Sequence, residues 1–263
     1  AVFGSAKLPE RPGYASGSYT YDVSPYTMGF IFGREWEGCA VKRFNEMNGR
    51  VRKDFNGRFL RIKEAEPFEA WITEACDLLQ SHSYDSYGTT HPVSAVSWPT
   101  LDPLTHPSES AHEGENTLFN GSPGKAQCNE NEDVEVLDVA KVLPVDGAGF
   151  FATYHVYPYY PDFMNNDYLE SEEPYLEYLK TLKTAHRGQA VLVAEFGVPS
   201  SREVAHWNPK GLHHGGHNEK AQGEIDARLM RLIKASGMAG GAVFSLLDEW
   251  FKRNWLFMRY EYP

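Results

Sequence analysis

The sequence predicts an α/β fold, a parallel sheet with helices packed outside it. Three observations carry this. Short apolar runs alternate with amphipathic stretches along most of the chain, the order of strand–helix units. Two of those runs, Gly29-Phe30-Ile31-Phe32-Gly33-Arg34-Glu35-Trp36 and Ala190-Val191-Leu192-Val193-Ala194-Glu195-Phe196-Gly197, stop at a glutamate beside an aromatic residue. A strand buried on both faces reads this way when its C-terminal end carries a reactive group. Finally, the chemically capable residues gather at the ends of the runs and in the loops after them, as in barrels and in open doubly wound sheets. Only about five units are legible, whereas a closed barrel needs eight.

Residues 1–27 are rich in Gly, Pro, Ser and Tyr and predict an extended loop. Residues 28–35 form the first strand. The turn signals Asn48-Gly49 and Asn56-Gly57 predict a long irregular connection over 40–66. A helix then opens at Pro67, with Glu69 in its first turn and an apolar stripe of Phe68, Trp71, Ile72, Ala75, Cys76 and Leu79. Val93–Trp98 is the second strand. Residues 99–132 are a polar insertion too long for an ordinary connection, and 134–142 fits a short helix or an irregular segment. Gly149–His155 is the third strand and runs into the aromatic cluster Tyr157–Phe163. Pro174 opens a helix to about His186, with Leu176, Leu179 and Leu182 inward. After the fourth strand, 190–195, comes a loop over 199–217. Asn218 caps a helix with Ile225, Leu229, Leu232 and Ile233 inward and Gly237 as its stop. Gly240–Leu246 is the fifth strand and ends at Asp248-Glu249-Trp250. No internal repeat is visible.

The 263 residues are read as a single domain. A net charge of −11 with no basic block argues against nucleic acid and anionic membrane as partners, whereas a neutral glycan fits. No run is long or apolar enough to span a bilayer. Cys39, Cys76 and Cys128 lack metal-ligand spacing and, being odd in number, argue against a disulfide scaffold. Cys76 lies on the apolar stripe and is read as core. Asn120-Gly121-Ser122 is a single sequon. No signal peptide is visible. The start at Ala1 reads as a processed or truncated product, and a secreted location is slightly favoured over the others, which stay open.

Paired carboxylates in an aromatic-lined mouth suit glycoside hydrolysis, which needs one ionised carboxylate to attack and one protonated carboxyl to assist departure. The residues also carry a family likeness. Gly33-Arg34-Glu35-Trp36, the stretch Ser97–Pro107, Tyr154-His155-Val156-Tyr157-Pro158, Ala194-Glu195-Phe196-Gly197 and Phe244–Trp250 resemble the retaining glycoside hydrolases of the clan that includes cellulases, mannanases and β-galactosidases. The chain looks closest to bacterial glycoside-hydrolase-like barrel proteins of poorly defined activity. The likeness covers about residues 22–255 and implies a (β/α)8 TIM-barrel type of fold, here its fourth to eighth units. The first three units would be missing, together with an arginine the clan places near the nucleophile. It implies Glu35 as acid/base, Glu195 as nucleophile, His155 and Tyr157 beside the nucleophile, and Trp250 under the sugar. Arg34 stands where the clan has an asparagine that binds the sugar 2-hydroxyl.

Trp36, Trp98 and Asp248 join His155, Tyr157 and Trp250 as candidate substrate contacts, and no cofactor or metal is expected. Tyr157 or His155 would donate a hydrogen bond to Glu195. Three readings stand open. The first is a retaining glycosidase acting on a β-linked glycan. The second is a non-catalytic glycan-binding or structural barrel, with Arg34 paired to Glu35. The third is a metal-dependent hydrolase using the histidines of the 206–217 loop. The exposed edges of a partial barrel suggest a homodimer that covers them.

Overall fold

The computed structural model of the protein describes residues 1–12, 14–109, 133–186 and 188–247. Asp248 and Trp250 fall outside the described residues, as does most of the 99–132 insertion. In chain order the elements are β1 (Ala6–Leu8), β2 (Gly17–Tyr19), β3 (Phe30–Phe32), α1 (Gly38–Met47), β4 (Lys53–Asn56), β5 (Leu60–Ala65), α2 (Pro67–Tyr87) and β6 (Val93–Ser97). They continue with β7 (Leu143–Pro144), β8 (Ala152–His155), α3 (Phe163–Asn166), α4 (Pro174–Ala185), β9 (Val191–Phe196), β10 (Val204–His206), β11 (His214–Gly215), α5 (Glu219–Ala235) and β12 (Gly240–Val243). No helix among the described residues is long and apolar enough to cross a membrane.

The fold is α/β. A five-stranded parallel sheet has the order β12-β9-β8-β6-β3. Its inner strands β6 and β8 are buried at every position, which explains why they read as unbroken runs rather than alternating ones. The contacts group into two compact units, and the division falls within β6.

The first unit holds residues 1–33, 50–95 and 141–151. Here β3 pairs with the start of β6, and β4, β5 and β7 form an antiparallel sheet. Helix α2 packs on β4 and β5, and its Phe68, Ile72 and Cys76 are buried. Its start is fixed by Pro67 and by a reciprocal pair of bonds between Glu66 and Glu69, the capping-box arrangement. Cys76 is core as expected, and burial pushes its thiol up to about 12. Two expectations are corrected in this unit. Residues 1–27 contain the antiparallel pair β1–β2, and the second half of 40–66 is the β4–β5 hairpin. Turn signals alone hide such short strands.

The hairpin loop is held by the α2 carboxylate of Asp77, which accepts from the backbone N–H of Arg58, Phe59 and Leu60 at 3.3, 2.7 and 2.8 Å. A Cβ on Gly57 would stand 2.3 Å from the Asp77 carboxyl carbon. Gly57→Ala is therefore expected to cost about 1–3 kcal/mol. Gly223→Ala, in α5 with open space around it, should stabilise slightly. Thermal melts of both variants check this, and equal melting temperatures would refute it.

The second unit holds residues 34–49, 96–140 and 152–263. The end of β6, then β8, β9 and β12, pair in parallel, and α5 packs on β9, β12 and α4. The Asn218 side chain caps α5 by accepting from the Ala221 N–H at 2.9 Å. Leu229 and Ile233 are buried, while Ile225 and Leu232 are half-buried. In α4, Leu179 and Leu182 are buried together with Tyr175 and Tyr178, and Leu176 is only half-buried. Helix α1 lies in the stretch expected to be irregular; Val41 and Asn45 give it a narrow buried face too short to stand out by period. The 199–217 loop contains the β10–β11 pair, and β12 stops at Val243 rather than Leu246. Cys39 is disulfide-bonded. Pairing depends on spatial proximity, which spacing does not reveal.

Candidate active site

The second unit brings four of the expected site residues together. Glu195 sits near the end of β9, where the ladder slips. Tyr154 pairs with Val193, but the next residue, His155, pairs with Glu195. On the other side Gly241 pairs with Val193, and Val243 with Phe196. Both neighbours thus see one extra residue in β9 at Ala194–Glu195. Such a bulge re-aims a side chain without ending the sheet, and it sets Glu195 beside His155.

Glu35 lies in the turn between Gly33 and α1. Its carboxylate is 2.7 Å from His155 Nδ1, and the same nitrogen is 3.4 Å from Glu195. Tyr157 donates its hydroxyl to Glu195 at 2.7 Å. Of the two donors expected for Glu195, Tyr157 thus makes the short bond, while His155 lies closer to Glu35. One oxygen from each carboxylate and one His155 nitrogen all lie within 4.8 Å of one another. Exposure grades across the group: the side chains of Glu35, Glu195 and His155 are 49%, 26% and 11% exposed. Burial and the adjacent carboxylate of Glu195 hold the Tyr157 hydroxyl far above its ordinary pKa, so it remains a donor.

Arg34 does not pair with Glu35. It bonds to Glu37 at the start of α1. Burial, the largest single influence, would raise the Glu37 carboxyl, but the Arg34 bond, a backbone bond and the Arg34 charge together make the net shift downward. That arrangement corrects the local ion pair considered for Glu35.

The aromatic surroundings are only partly those expected. Tyr159 stacks near Tyr157 at 5.5 Å and on His214 at 4.6 Å, and His206 lies parallel to His214 at 5.6 Å. Tyr160 lies between His206 and Trp98, at 5.0 and 5.8 Å. Trp98 is only 6% exposed, so it backs this row of rings rather than facing solvent. Phe163 of the expected sugar platform is fully buried against His106. Trp36 is half-buried next to Glu35 in sequence.

The histidines of the 206–217 loop pack against rings. Burial and then His206 push His214 down to about 4, and burial also lowers His206. Among the described residues, the one group with the makings of a metal site is Glu35, His155 and Glu195, not that loop. Sequence reasoning missed the ring row of Tyr159, His206 and His214, whose members are separated by loops of no fixed period. It also missed a fully buried Asp102, which accepts from Tyr178 at 2.7 Å and lies 3.0 Å from His106 Nε2. No protein-family model matches the chain, and a search of curated proteins gave no match.

Proposed function

We propose that the protein is a retaining glycosidase acting on a β-linked oligosaccharide or polysaccharide, its sheet belonging to a (β/α)8-type barrel. The observation that carries this reading is the carboxylate pair. One oxygen of Glu35 and one of Glu195 lie within 4.8 Å, which fits the about 5–5.5 Å between the carboxyl groups of retaining enzymes better than the about 6.5–9.5 Å of inverting ones.

Glu195, fixed by Tyr157, attacks the anomeric carbon. The bond to the leaving oxygen breaks as Glu35 delivers a proton to it. Glu35 then takes a proton from water, the water oxygen attacks the same carbon, and the bond to Glu195 breaks. His155 is a positioning residue whose Nδ1 orients Glu35 at 2.7 Å. The rings from Tyr157 to His206 stack on one another and brace Tyr157 from behind. The Cys39 disulfide fits an oxidising, extracellular setting, where glycans are plentiful. Proton NMR of the first-formed product anomer tests the mechanism: the anomeric configuration of the substrate should be kept, and an inverted product would refute it.

A second reading is favoured by the same three side chains. Two carboxylates and an imidazole suit a divalent transition metal such as zinc, with Tyr157 steadying the Glu195 ligand. A metal-dependent hydrolase would then act here rather than in the 206–217 loop. Dialysis against a strong chelator separates the readings. The glycosidase should keep its full rate after dialysis, and a loss reversed by added zinc would favour the metal enzyme.

A further inference from the structure

The β10–β11 hairpin carries a feature that the mechanism above does not use. Trp207, directly after β10, is 68% exposed, unusual for so large an apolar side chain. Its ring lies 5.5 Å from that of His213, tilted by 31°, and His213 stacks on His217 at 5.9 Å. The loop beneath is pinned. Asn208 is buried, donates from its side chain to Pro158 O and Asn165 Oδ1 at 2.7 and 2.9 Å, and accepts from the N–H of Lys210 and Leu212. Its own N–H donates to His213 Nδ1 at 2.8 Å. Trp207 is thus an exposed ring on a fixed base, the condition for a preformed contact.

The same hairpin reaches the reaction centre on its other side. His206 and His214 lie parallel to Tyr159, Tyr159 lies near Tyr157, and Tyr157 bonds to Glu195. One short hairpin therefore links a solvent-facing indole to the proposed nucleophile through three rings.

We propose that Trp207 is a remote stacking platform for a sugar ring of an extended, uncharged β-linked glycan, whose scissile bond lies at Glu35 and Glu195. The proposal rests on the glycosidase reading and narrows it, making the preferred substrate a long chain rather than a disaccharide. A flat indole gains from the C–H face of a sugar ring as it does from other apolar faces. β-Linked chains are extended and present such faces repeatedly. A net charge of −11 disfavours polyanionic glycans. Burial, with His217 adding to it, lowers the His213 pKa, so the platform's neighbour brings no countercharge for them.

The test uses the full chain carrying Glu195→Gln, titrated calorimetrically with cellohexaose, mannohexaose and xylohexaose and with the matching disaccharides. At least one hexasaccharide should bind more tightly than its disaccharide. Adding Trp207→Ala should cut that advantage about tenfold, while Trp207→Phe keeps most of it. Circular dichroism confirms that each variant is folded. An undiminished advantage in Trp207→Ala, no chain-length preference in the parent, or no binding in any series would overturn the platform. Hydrolysis by the unsubstituted chain is read separately. If the chain cleaves a glycan and Trp207→Ala binds normally, the platform alone falls. If binding depends on Trp207 but nothing is cleaved, the platform stands and the glycosidase reading falls.

Discussion

Glu195→Gln is expected to lower hydrolysis by a factor on the order of 10⁴–10⁶, the cost of removing a catalytic nucleophile. The amide is nearly isosteric with the carboxylate, so its oxygen can still accept from Tyr157. The β9 bulge is set by backbone pairing with β8 and β12 and should persist. Glycan binding should therefore survive. Tyr157→Phe should fall in the same direction but less far, by about 10², the cost of one donor aimed at developing charge. The checks are kcat on a panel of aryl β-glycosides and calorimetric binding of an uncleaved glycan. If Glu195→Gln retains a rate within tenfold of the parent, Glu195 is not the nucleophile. If neither protein hydrolyses anything but both bind glycan, the chain is a non-catalytic glycan-binding barrel.

Much of this site was legible because strands carry their own signal. Ala190–Ala194 is an apolar run and Val93–Ser97 a stretch of valine, alanine and serine, the composition of strands buried on both faces. That alone places Glu195 and Trp98 near a sheet end. What the residues do not announce is register. The bulge that pairs His155 with Glu195 instead of Ala194 is one extra residue in β9, and its neighbours carry no mark of it. Nor does sequence decide where Arg34 turns; the pair considered was with Glu35, whereas Arg34 bonds to Glu37 at the start of α1. Short elements were lost for a related reason. The two- to four-residue strands β4, β7 and β11 are shorter than a period can reveal, and tertiary pairing alone makes them strands.

The Asp102 network is the clearest case of polar residues that reveal their role only in three dimensions, and it carries the largest expected effect on stability. Asp102 is fully buried. Its two oxygens take the Tyr178 hydroxyl at 2.7 Å, the Leu104 N–H at 2.8 Å and His106 Nε2 at 3.0 Å. His106 also stacks on Phe163 at 3.6 Å and donates its backbone N–H to Asp133 at 3.1 Å, so residues on both sides of the 110–132 stretch meet at this histidine. Asp102→Ala leaves a hydroxyl, a backbone N–H and a histidine without their acceptor. Breaking a buried pair from one side costs about 3–5 kcal/mol, or on the order of 10 °C in a protein this size.

The pH dependence gives the second readout. Burial would lower the His106 pKa, but the Asp102 bond and the carboxylates of Asp102, Asp133 and Asp167 raise it above 6.5 overall. A raised value means the folded state holds the proton more tightly than the unfolded chain. That stabilisation is complete below about pH 6.5 and is lost as pH climbs through the folded value. Glu109, pushed up to about 7 by burial and then by Asp162, loses its own contribution between 4.5 and about 7, in the same direction. The histidines with lowered values, His186, His206, His213 and His214, give the opposite slope around 6.5, and it fades as pH rises above 7. The contribution of His106 to the parent's stability should therefore fall as pH rises above about 6.5. Asp102→Asn, which keeps an acceptor but loses the charge, should flatten that fall. Urea melts at pH 7, 8 and 9 decide it, since an Asp102→Asn slope as steep as the parent's would mean that His106 is not held by that carboxylate.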